Sequence, residues 1–251
     1  MAQLQAVFWD VDGTLADTEM DGHRPAFNSA FRDLGLAWHW DRASYQRLLS
    51  IPGGRQRMAV YARDRGDALS ETLLDQLRAC KQQHYLVRIA SGAVQLRPGV
   101  ARLLNELTLA GVQQWIVTSS GSASVDALLK GLFGEGSSPF SGVVSSSDVE
   151  RHKPDPAPYR CALERSGLKA DACVALEDSA AGLVAATDAS LACLLTPSAW
   201  DQDLPGLLQR ASAVIDHLGE VDHRLSQRSG PPCAEGMITL EYLQRLLDPS
   251  R

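Results

Sequence analysis

Long hydrophobic runs are missing from this sequence of 251 residues. No apolar stretch reaches the roughly 18 residues that span a bilayer, so we expect no membrane-crossing segment and no membrane partner. The residues before Asp10 hold no basic region followed by an apolar segment, so no secretion signal is expected. These absences favour a cytoplasmic location, or a cytosol-like compartment such as the stroma if a transit peptide was removed.

Clusters of positive charge and paired cysteines are lacking too. No block of five or six Lys or Arg occurs and the formal net charge is -6 at pH 7, which argues against nucleic acid as a partner. Any anionic ligand must therefore be met by a few local cations. The five cysteines are scattered and form no CxxC pair, so neither a disulfide framework nor a zinc site is indicated.

The apolar pattern that is present divides the chain into two kinds of segment. Short apolar runs that predict strands lie at 6–9, 112–117, 142–144, 173–176 and 191–195. After about residue 95 these runs alternate with helical spacing, which predicts an α/β fold with a mostly parallel, doubly wound Rossmann-like sheet. Segment 225–237 is expected to be loop, and a helix is expected after Thr239.

Between the first strand and residue 95 the spacing is helical only. Helices are predicted from Pro25, after Asp41, and after Ser70 to about Tyr85. We therefore predict an α/β core formed by 1–18 and 95–251, with a helical cap domain, 19–94, inserted after the first strand. A cap placed there would cover the edge of the sheet where α/β proteins bind ligands, and would act as a lid.

Two acidic pairs follow predicted strands. Asp10 and Asp12 belong to the string DVDGT, and Glu177 and Asp178 open a predicted helix. Parallel strands end on the same side of a sheet, so the four carboxylates could converge on a hard cation such as Mg²⁺. The alternatives are a solvated acidic turn for the first pair and helix-terminal charges for the second.

Two further segments offer groups that bind anions. Thr118, Ser119 and Ser120 end a predicted strand and begin a helix, where hydroxyls and backbone N–H groups can cradle phosphate. Helix capping is the alternative for such residues. Lys153 precedes a proline-rich turn that fixes the backbone and could direct its ammonium at phosphate, although an isolated Lys is usually solvated.

These four segments, in this order, resemble the haloacid dehalogenase-like phosphotransferase superfamily over essentially the whole chain. The resemblance implies that Asp10 attacks phosphorus and forms an aspartyl phosphate, and that Asp12 acts as general acid and base. Thr118 and Lys153 would hold the transferring phosphoryl group. The Mg²⁺ ligands implied are Asp10, the main-chain carbonyl of Asp12, Asp178 and, in an assisting role, Glu177.

A narrower resemblance is to the CbbY family. It rests on LADTE at 15–19, HR at 23–24, AFN at 26–28, GGRQR at 53–57 and LEDS at 176–179. The family implies a phosphatase that converts xylulose 1,5-bisphosphate, an inhibitor of Rubisco, to xylulose 5-phosphate. Arg55 stands where many of these sequences carry Lys, which keeps the charge but changes the hydrogen-bond geometry.

A bisphosphate also needs a second cationic pocket, for which arginines of the cap are candidates. The cap residues predicted to bind substrate are Glu19, His23, Arg24, Gly53, Gly54, Arg55 and Arg57, together with Ser119 and Ser120 of the core. For each of them an ordinary packing or surface role is the alternative.

Two other functions remain open on sequence grounds. A mutase resembling β-phosphoglucomutase would share the nucleophile and lid and return phosphate to the sugar. A non-catalytic sugar-phosphate-binding protein could share the fold, because fold does not fix function. In each case the expected partner is a small-molecule sugar phosphate or bisphosphate, and we expect a monomer.

Overall fold

A seven-stranded sheet forms the centre of the computed structural model, which describes residues 3–51, 53–136, 138–198 and 204–248. The strands are β1 Ala6–Trp9, β2 Gln113–Val117, β3 Gly142–Val144, β4 Cys173–Glu177, β5 Ala192–Leu195, β6 Ala213–Ile215 and β7 Gln227–Ser229. Their order across the sheet is β3-β2-β1-β4-β5-β6-β7. All neighbours pair in parallel except β6 and β7, which are antiparallel. The predicted fold class is confirmed.

Strand β1 lies in the interior of the sheet, between β2 and β4. Phe8 is in register with Trp115 on one side and Ala175 on the other. All four residues of β1 are buried, because helices cover both faces of the sheet. A parallel strand covered on both faces needs a continuous apolar run, and this is why the short run at 6–9 predicted the strand correctly.

Helices account for most of the remaining chain. In order they are α1 Arg24–Asp33, α2 Arg42–Leu48, α3 Gly54–Arg65, α4 Glu71–Ala90, α5 Val100–Leu109, α6 Ser122–Phe133, α7 Ala157–Ser166, α8 Ala180–Asp188 and α9 Leu240–Arg245. A π-helical turn, Glu19–His23, precedes α1, and 3-10 turns lie at Ala170–Ala172 and Leu204–Arg210. None of the helices in the described part of the chain is long and apolar enough to cross a membrane.

Helices α1 to α4 pack around an aromatic core of their own. Phe27, Phe31, Trp40 and Tyr45 are buried there, with ring centroids 4.8 Å apart for Phe27 and Trp40. Two helix starts follow the predicted capping pattern. The Ser44 N–H donates to Asp41 over 2.6 Å before α2, and in the same way Ser70 caps α4.

Four elements differ from the sequence predictions. Strand β6, Ala213–Ile215, lies in a part of the chain for which no element was predicted. Helix α3 begins where only a loop was expected, since Met58 and Ala62 are its only buried residues and leave almost no apolar stripe. Helix α4 continues past the predicted end to Ala90. Strand β7 lies inside the predicted loop 225–237, because a polar edge strand lacks the apolar alternation that would reveal it.

The chain leaves and re-enters the sheet-bearing part at one place, which we call the junction. Ala16 and Leu96 form an antiparallel bridge, and the Arg97 N–H donates to the Leu15 carbonyl over 2.9 Å. The Arg97 guanidinium donates to the Gly13 carbonyl. It also donates to the Thr196 hydroxyl over 3.0 Å and to the Asp216 carbonyl over 2.9 Å. The junction is thereby fixed against the loop that follows β1.

Candidate active site

The ends of β1, β2 and β4 bring the predicted core residues to one edge of the sheet. Asp10 directly follows β1, Thr118 directly follows β2, and Glu177 ends β4 and is followed by Asp178. All four are buried. Because β1 lies between β2 and β4, the aspartate after β1 is flanked by both other strand ends.

Lys153 is the cation of this site. Its Nζ lies 2.7 Å from Asp10 Oδ1 and 2.6 Å from Glu177 Oε1, and donates to the Val117 carbonyl over 2.8 Å. Its side chain is only 5% exposed. Burial disfavours the charged ammonium, but the charges of Asp10 and Glu177 outweigh burial and raise the pKa of Lys153. The lysine is therefore held as a fixed positive charge.

Three carboxylates form an acidic cluster beside this lysine. Oxygen atoms of Asp10, Glu177 and Asp178 all lie within 4.8 Å of one another. Burial and the neighbouring negative charges raise the pKa of Asp10 to about 7 and raise that of Asp178 well above its usual value. Carboxylates this close need a cation to stay charged together.

The donor set fits a divalent metal ion. Glu177 Oε1 accepts from Lys153 and from the Tyr159 hydroxyl, whereas the buried Glu177 Oε2 has no hydrogen-bond partner. An unsatisfied buried carboxylate oxygen among other carboxylates is a suitable ligand for a hard cation. Ligand sets of oxygen atoms alone favour hard divalent ions over softer metals.

Two glycines leave room for these carboxylates. Gly13 has φ +93°, and a Cβ there would lie 2.1 Å from Asp178 Oδ2. A Cβ at Gly182 would lie 1.9 Å from Glu177 Oε2. The acidic cluster therefore depends on the absence of a side chain at both positions.

Asp12 is held between the sheet and Thr18, the residue that directly precedes residues 19–94, which we call the insertion. Its Oδ2 accepts from the Ser120 hydroxyl over 2.5 Å, and its Oδ1 accepts from the hydroxyl of the fully buried Thr18. The Ser120 N–H in turn donates to Thr118 Oγ1 over 3.1 Å. Ser119 is exposed. The sequence reasoning quoted Thr18 as part of LADTE but gave it no role in the site, although it follows the DVDGT string closely.

Glu19 and Arg57 meet within the insertion. The Tyr45 hydroxyl donates to Glu19 Oε2 over 2.5 Å, and Arg57 Nη1 lies 3.5 Å from the same oxygen. Arg57 Nη1 also donates to the Tyr45 hydroxyl over 3.2 Å, and its Nε donates to the Ile51 carbonyl over 2.9 Å. These contacts hold the guanidinium in one position.

His23 pairs with a residue that the sequence reasoning missed, Lys81 of α4. Lys81 Nζ lies 2.9 Å from His23 Nδ1, and the His23 ring stacks on Tyr85 with centroids 4.0 Å apart. Burial, with the nearby Lys81, lowers the pKa of His23 to about 3, so its neutral ring accepts from the ammonium. Burial lowers the pKa of Lys81 to about 8, although the charges of Glu19 and Asp12 oppose that shift.

A sequence signal for Lys81 does exist. Leu77, Lys81 and Tyr85 are four residues apart, so the lysine occupies the buried face of a helix that the pattern predicted. A lysine on such a face is unusual and indicates a function or a buried partner.

The other predicted cap residues have different surroundings. Arg55 donates to Asp75 over 2.8 Å and pairs with Glu71, both on α4. Arg24 donates to the Trp40 carbonyl over 3.4 Å. The structure therefore gives both arginines partners within the insertion and does not join them to Glu19 or His23.

The two predicted glycines of the cap form the start of α3. Gly53 precedes the helix with φ +78° and is exposed. Gly54 packs against Phe27, whose ring leaves no room there for a Cβ. Their observed role is to shape the turn that leads to Arg57.

A mostly parallel sheet with an aspartate directly after β1, a buried lysine and an acidic cluster defines a class of hydrolase. A sequence model of the haloacid dehalogenase-like hydrolases matches residues 4–190. The chain belongs to this family and is a phosphatase. Enzymes of the family generally use a divalent metal, which the acidic cluster fits.

Within that class the chain belongs to the CbbY family. It is 41% identical over 225 residues to the plasmid-encoded CbbY of Cupriavidus necator, covering 86% of this chain and 87% of that protein. It is 39% identical over 226 residues to CbbY of Rhodobacter capsulatus, covering 86% of this chain and 99% of that protein. The family predicted from the sequence motifs is thereby confirmed.

A solved structure of the same family carries a ligand. The crystal structure of a CbbY variant from Rhodobacter sphaeroides in complex with xylulose 1,5-bisphosphate matches with TM-score 0.72 and 33% identity. The match covers 87% of this chain and 96% of that one.

Proposed function

We propose that this chain is a Mg²⁺-dependent phosphatase that converts xylulose 1,5-bisphosphate to xylulose 5-phosphate, and so removes an inhibitor of Rubisco. The observation that carries the proposal is the presence of two separate cationic centres. The first centre is Lys153, which lies against Asp10. The second is formed by Arg57 and Lys81 of the insertion, and Lys81 interacts electrostatically with Asp12 of the core. A substrate with a phosphate at each end needs both centres. The bisphosphate bound by the related CbbY supports the same substrate.

Asp10, Glu177 and Asp178 would hold Mg²⁺, with the Asp12 main-chain carbonyl as a further ligand. The bound ion supplies positive charge that offsets the charge developing on the phosphoryl oxygens. The buried, unpartnered Glu177 Oε2 supports this assignment.

Asp10 is the proposed nucleophile. One carboxylate oxygen of Asp10 forms a bond to phosphorus while the bond from phosphorus to the sugar oxygen breaks. Lys153 Nζ, 2.7 Å from Asp10 Oδ1, keeps positive charge at the point of attack and can hold the phosphoryl group together with Thr118. The product of this step is a phosphorylated Asp10.

Asp12 is the proposed acid and base. It gives a proton to the leaving sugar oxygen, then takes a proton from the water that attacks the phosphoryl group, and inorganic phosphate leaves. Its two oxygens already accept hydrogen bonds from Thr18 and Ser120, which fix the carboxyl group beside Asp10. Because Thr18 directly precedes the insertion, a movement of the insertion would change the surroundings of Asp12.

We further propose that residues 19–94 act as a lid over this edge of the sheet. Gln82 of α4 donates to the Ser124 hydroxyl of α6 over 3.2 Å, so the insertion rests on the core beside the Thr118 segment. A closed lid would exclude water from the first step and would present Arg57 and Lys81 to the distal phosphate.

The test is phosphate release with and without Mg²⁺. The substrates are xylulose 1,5-bisphosphate, ribulose 1,5-bisphosphate and a panel of hexose and pentose monophosphates. We expect Mg²⁺-dependent preference for xylulose 1,5-bisphosphate, and broad monophosphate turnover would contradict the named substrate. Conversion of glucose 1-phosphate to the 6-phosphate without phosphate release would identify a mutase instead.

Two variants test the mechanism separately. Asp10→Asn should abolish turnover with the fold intact, while Asp126→Asn on the exposed face of α6 should retain it. Asp12→Ala should slow turnover and allow the phosphorylated enzyme to accumulate. Full activity of Asp10→Asn would refute the covalent step, and unchanged kinetics of Asp12→Ala would remove Asp12 from its role.

A further inference from the structure

A second group of metal-ligating side chains lies away from the acidic cluster, between α1 and α4. Asp33 is the last residue of α1, and Cys80 and His84 lie four residues apart in α4. One donor atom from each lies within 4.8 Å of the other two. His84 Nε2 is 2.7 Å from Asp33 Oδ2.

The spacing suits a tetrahedral metal. Zinc bonds of about 2.3 Å to sulfur and about 2.0–2.2 Å to nitrogen and oxygen put neighbouring donor atoms roughly 3.4–3.6 Å apart. Side-chain rotations within the observed 4.8 Å group can reach that separation. Residues four apart on a helix point the same way, so Cys80 and His84 can bind one ion without a change in the backbone.

The donor types select the kind of metal. A thiolate, an imidazole and a carboxylate are ligands that Zn²⁺ binds together, whereas Mg²⁺ prefers oxygen alone. A simple hydrogen-bonded His84–Asp33 pair would explain two of the three residues, and packing against the aromatic core would explain Cys80. Neither explains why all three donor atoms lie together. The absence of a CxxC pair argued against zinc at the level of sequence, but helix packing assembles this group from residues far apart in the chain.

We propose that Asp33, Cys80 and His84 form a binding site for Zn²⁺ or a similar thiophilic divalent ion, which ties α1 to α4. Three protein ligands leave a fourth position for water. Binding converts the Cys80 thiol to a thiolate and releases its proton to solvent. Since His23 directly precedes α1 and Lys81 directly follows Cys80, an ion here would fix the two helices that carry the His23–Lys81 pair.

The experiment uses Co²⁺ as a spectroscopic probe of the full-length protein, with Mg²⁺ in large excess to occupy the acidic cluster. Cobalt bound to sulfur gives a thiolate charge-transfer absorption that an oxygen-only site cannot produce. We expect this band at one equivalent of Co²⁺, its loss on addition of Zn²⁺, and a rise in Tm with Zn²⁺. Cys80→Ser should abolish the band, while Cys161→Ser, at a partly buried cysteine of α7, should keep it.

A second variant separates binding from folding. His84→Gln keeps a polar side chain and should lower Zn²⁺ affinity by more than about a hundredfold, because even groups outside the ligand sphere contribute about 10–100-fold. Metal-free Tm values establish that both variants fold. The absence of a thiolate band in the wild-type protein, or its persistence in Cys80→Ser, would overturn the proposal. These outcomes do not depend on phosphatase activity.

Discussion

Replacing Gly13 by alanine should disable the acidic cluster without unfolding the protein. Gly13 has φ +93°, and its new Cβ would lie 2.1 Å from Asp178 Oδ2. Real Cβ contacts essentially never fall below 3.0 Å, so the carboxylate must retreat by about 1 Å. The substitution thus displaces the Asp178 carboxylate without removing any ionisable group of the site.

The substitution Gly13→Ala is expected to lower both the stability of the protein and the rate of the reaction. The left-handed backbone costs an alanine roughly 1–2 kcal/mol, or about 2–8 °C in Tm for a chain of this size. A displacement of about 1 Å in a catalytic constellation costs about a hundredfold in rate, equivalent to about 2.7 kcal/mol. We therefore expect kcat/KM to fall about a hundredfold and the Mg²⁺ concentration for half-maximal activity to rise.

A matched control separates the two effects. Gly111 has φ +72° and a Cβ added there would meet nothing within 4 Å, so Gly111→Ala carries the backbone cost alone. Its Tm should fall by a similar amount and its phosphate release should equal that of the wild-type protein. If Gly13→Ala keeps wild-type kcat/KM and Mg²⁺ dependence while both variants lose stability, Asp178 does not act at the metal site.

Three further predictions concern two cationic residues of the insertion and a hydroxyl that donates a hydrogen bond to the acidic cluster. Because the pKa of Lys81 is lowered to about 8, its positive charge is present below that pH and is lost above it. KM for the bisphosphate should therefore rise above pH 8 in the wild-type enzyme, whereas in the Lys81→Arg variant it should stay level across this pH range. Identical pH profiles of the two enzymes would exclude Lys81 from phosphate binding. Arg57→Ala should raise this KM about 10- to 100-fold through loss of a charged hydrogen bond. Arg55→Ala should leave it unchanged, because the Arg55 guanidinium pairs with Glu71 and Asp75 instead. Equal effects would mean that both arginines bind substrate. Tyr159→Phe removes the hydroxyl that donates to Glu177 and should weaken Mg²⁺ binding about 10–100-fold, measured by titrating activity with Mg²⁺. An unchanged Mg²⁺ dependence would show that this contact is dispensable.

The sheet and its acidic edge were predictable because each depends on a short local pattern. A buried parallel strand must be continuously apolar, so the run 6–9 predicted β1 and placed Asp10 at its end. The strand that ends at Glu177 was predicted in the same way. The convergence of these residues follows from parallel pairing alone.

The insertion was less predictable because its contacts are between helices. The partners of Arg57 and Arg55 depend on which side of α3 faces Tyr45 and which faces α4, and the weak apolar stripe of α3 leaves that undetermined. The group Asp33, Cys80 and His84 likewise exists only after α1 and α4 have packed together. Strand β7 escaped prediction because an exposed polar edge strand is stabilised by its backbone pairing with β6.

The junction has a consequence for how such enzymes diversify. The whole insertion enters and leaves through the bridge between Ala16 and Leu96, and Arg97 fastens that bridge to the loop after β1. Mutations that accumulate beyond the bridge can therefore reshape the part proposed to select the sugar, while the residues at the strand ends, proposed to carry out the reaction, keep their positions. The gene for such a protein can therefore be divided into two exchangeable parts that meet only at the junction. Exchanging the segment between Ala16 and Leu96 among relatives should transfer substrate preference while retaining the phosphoryl-transfer chemistry.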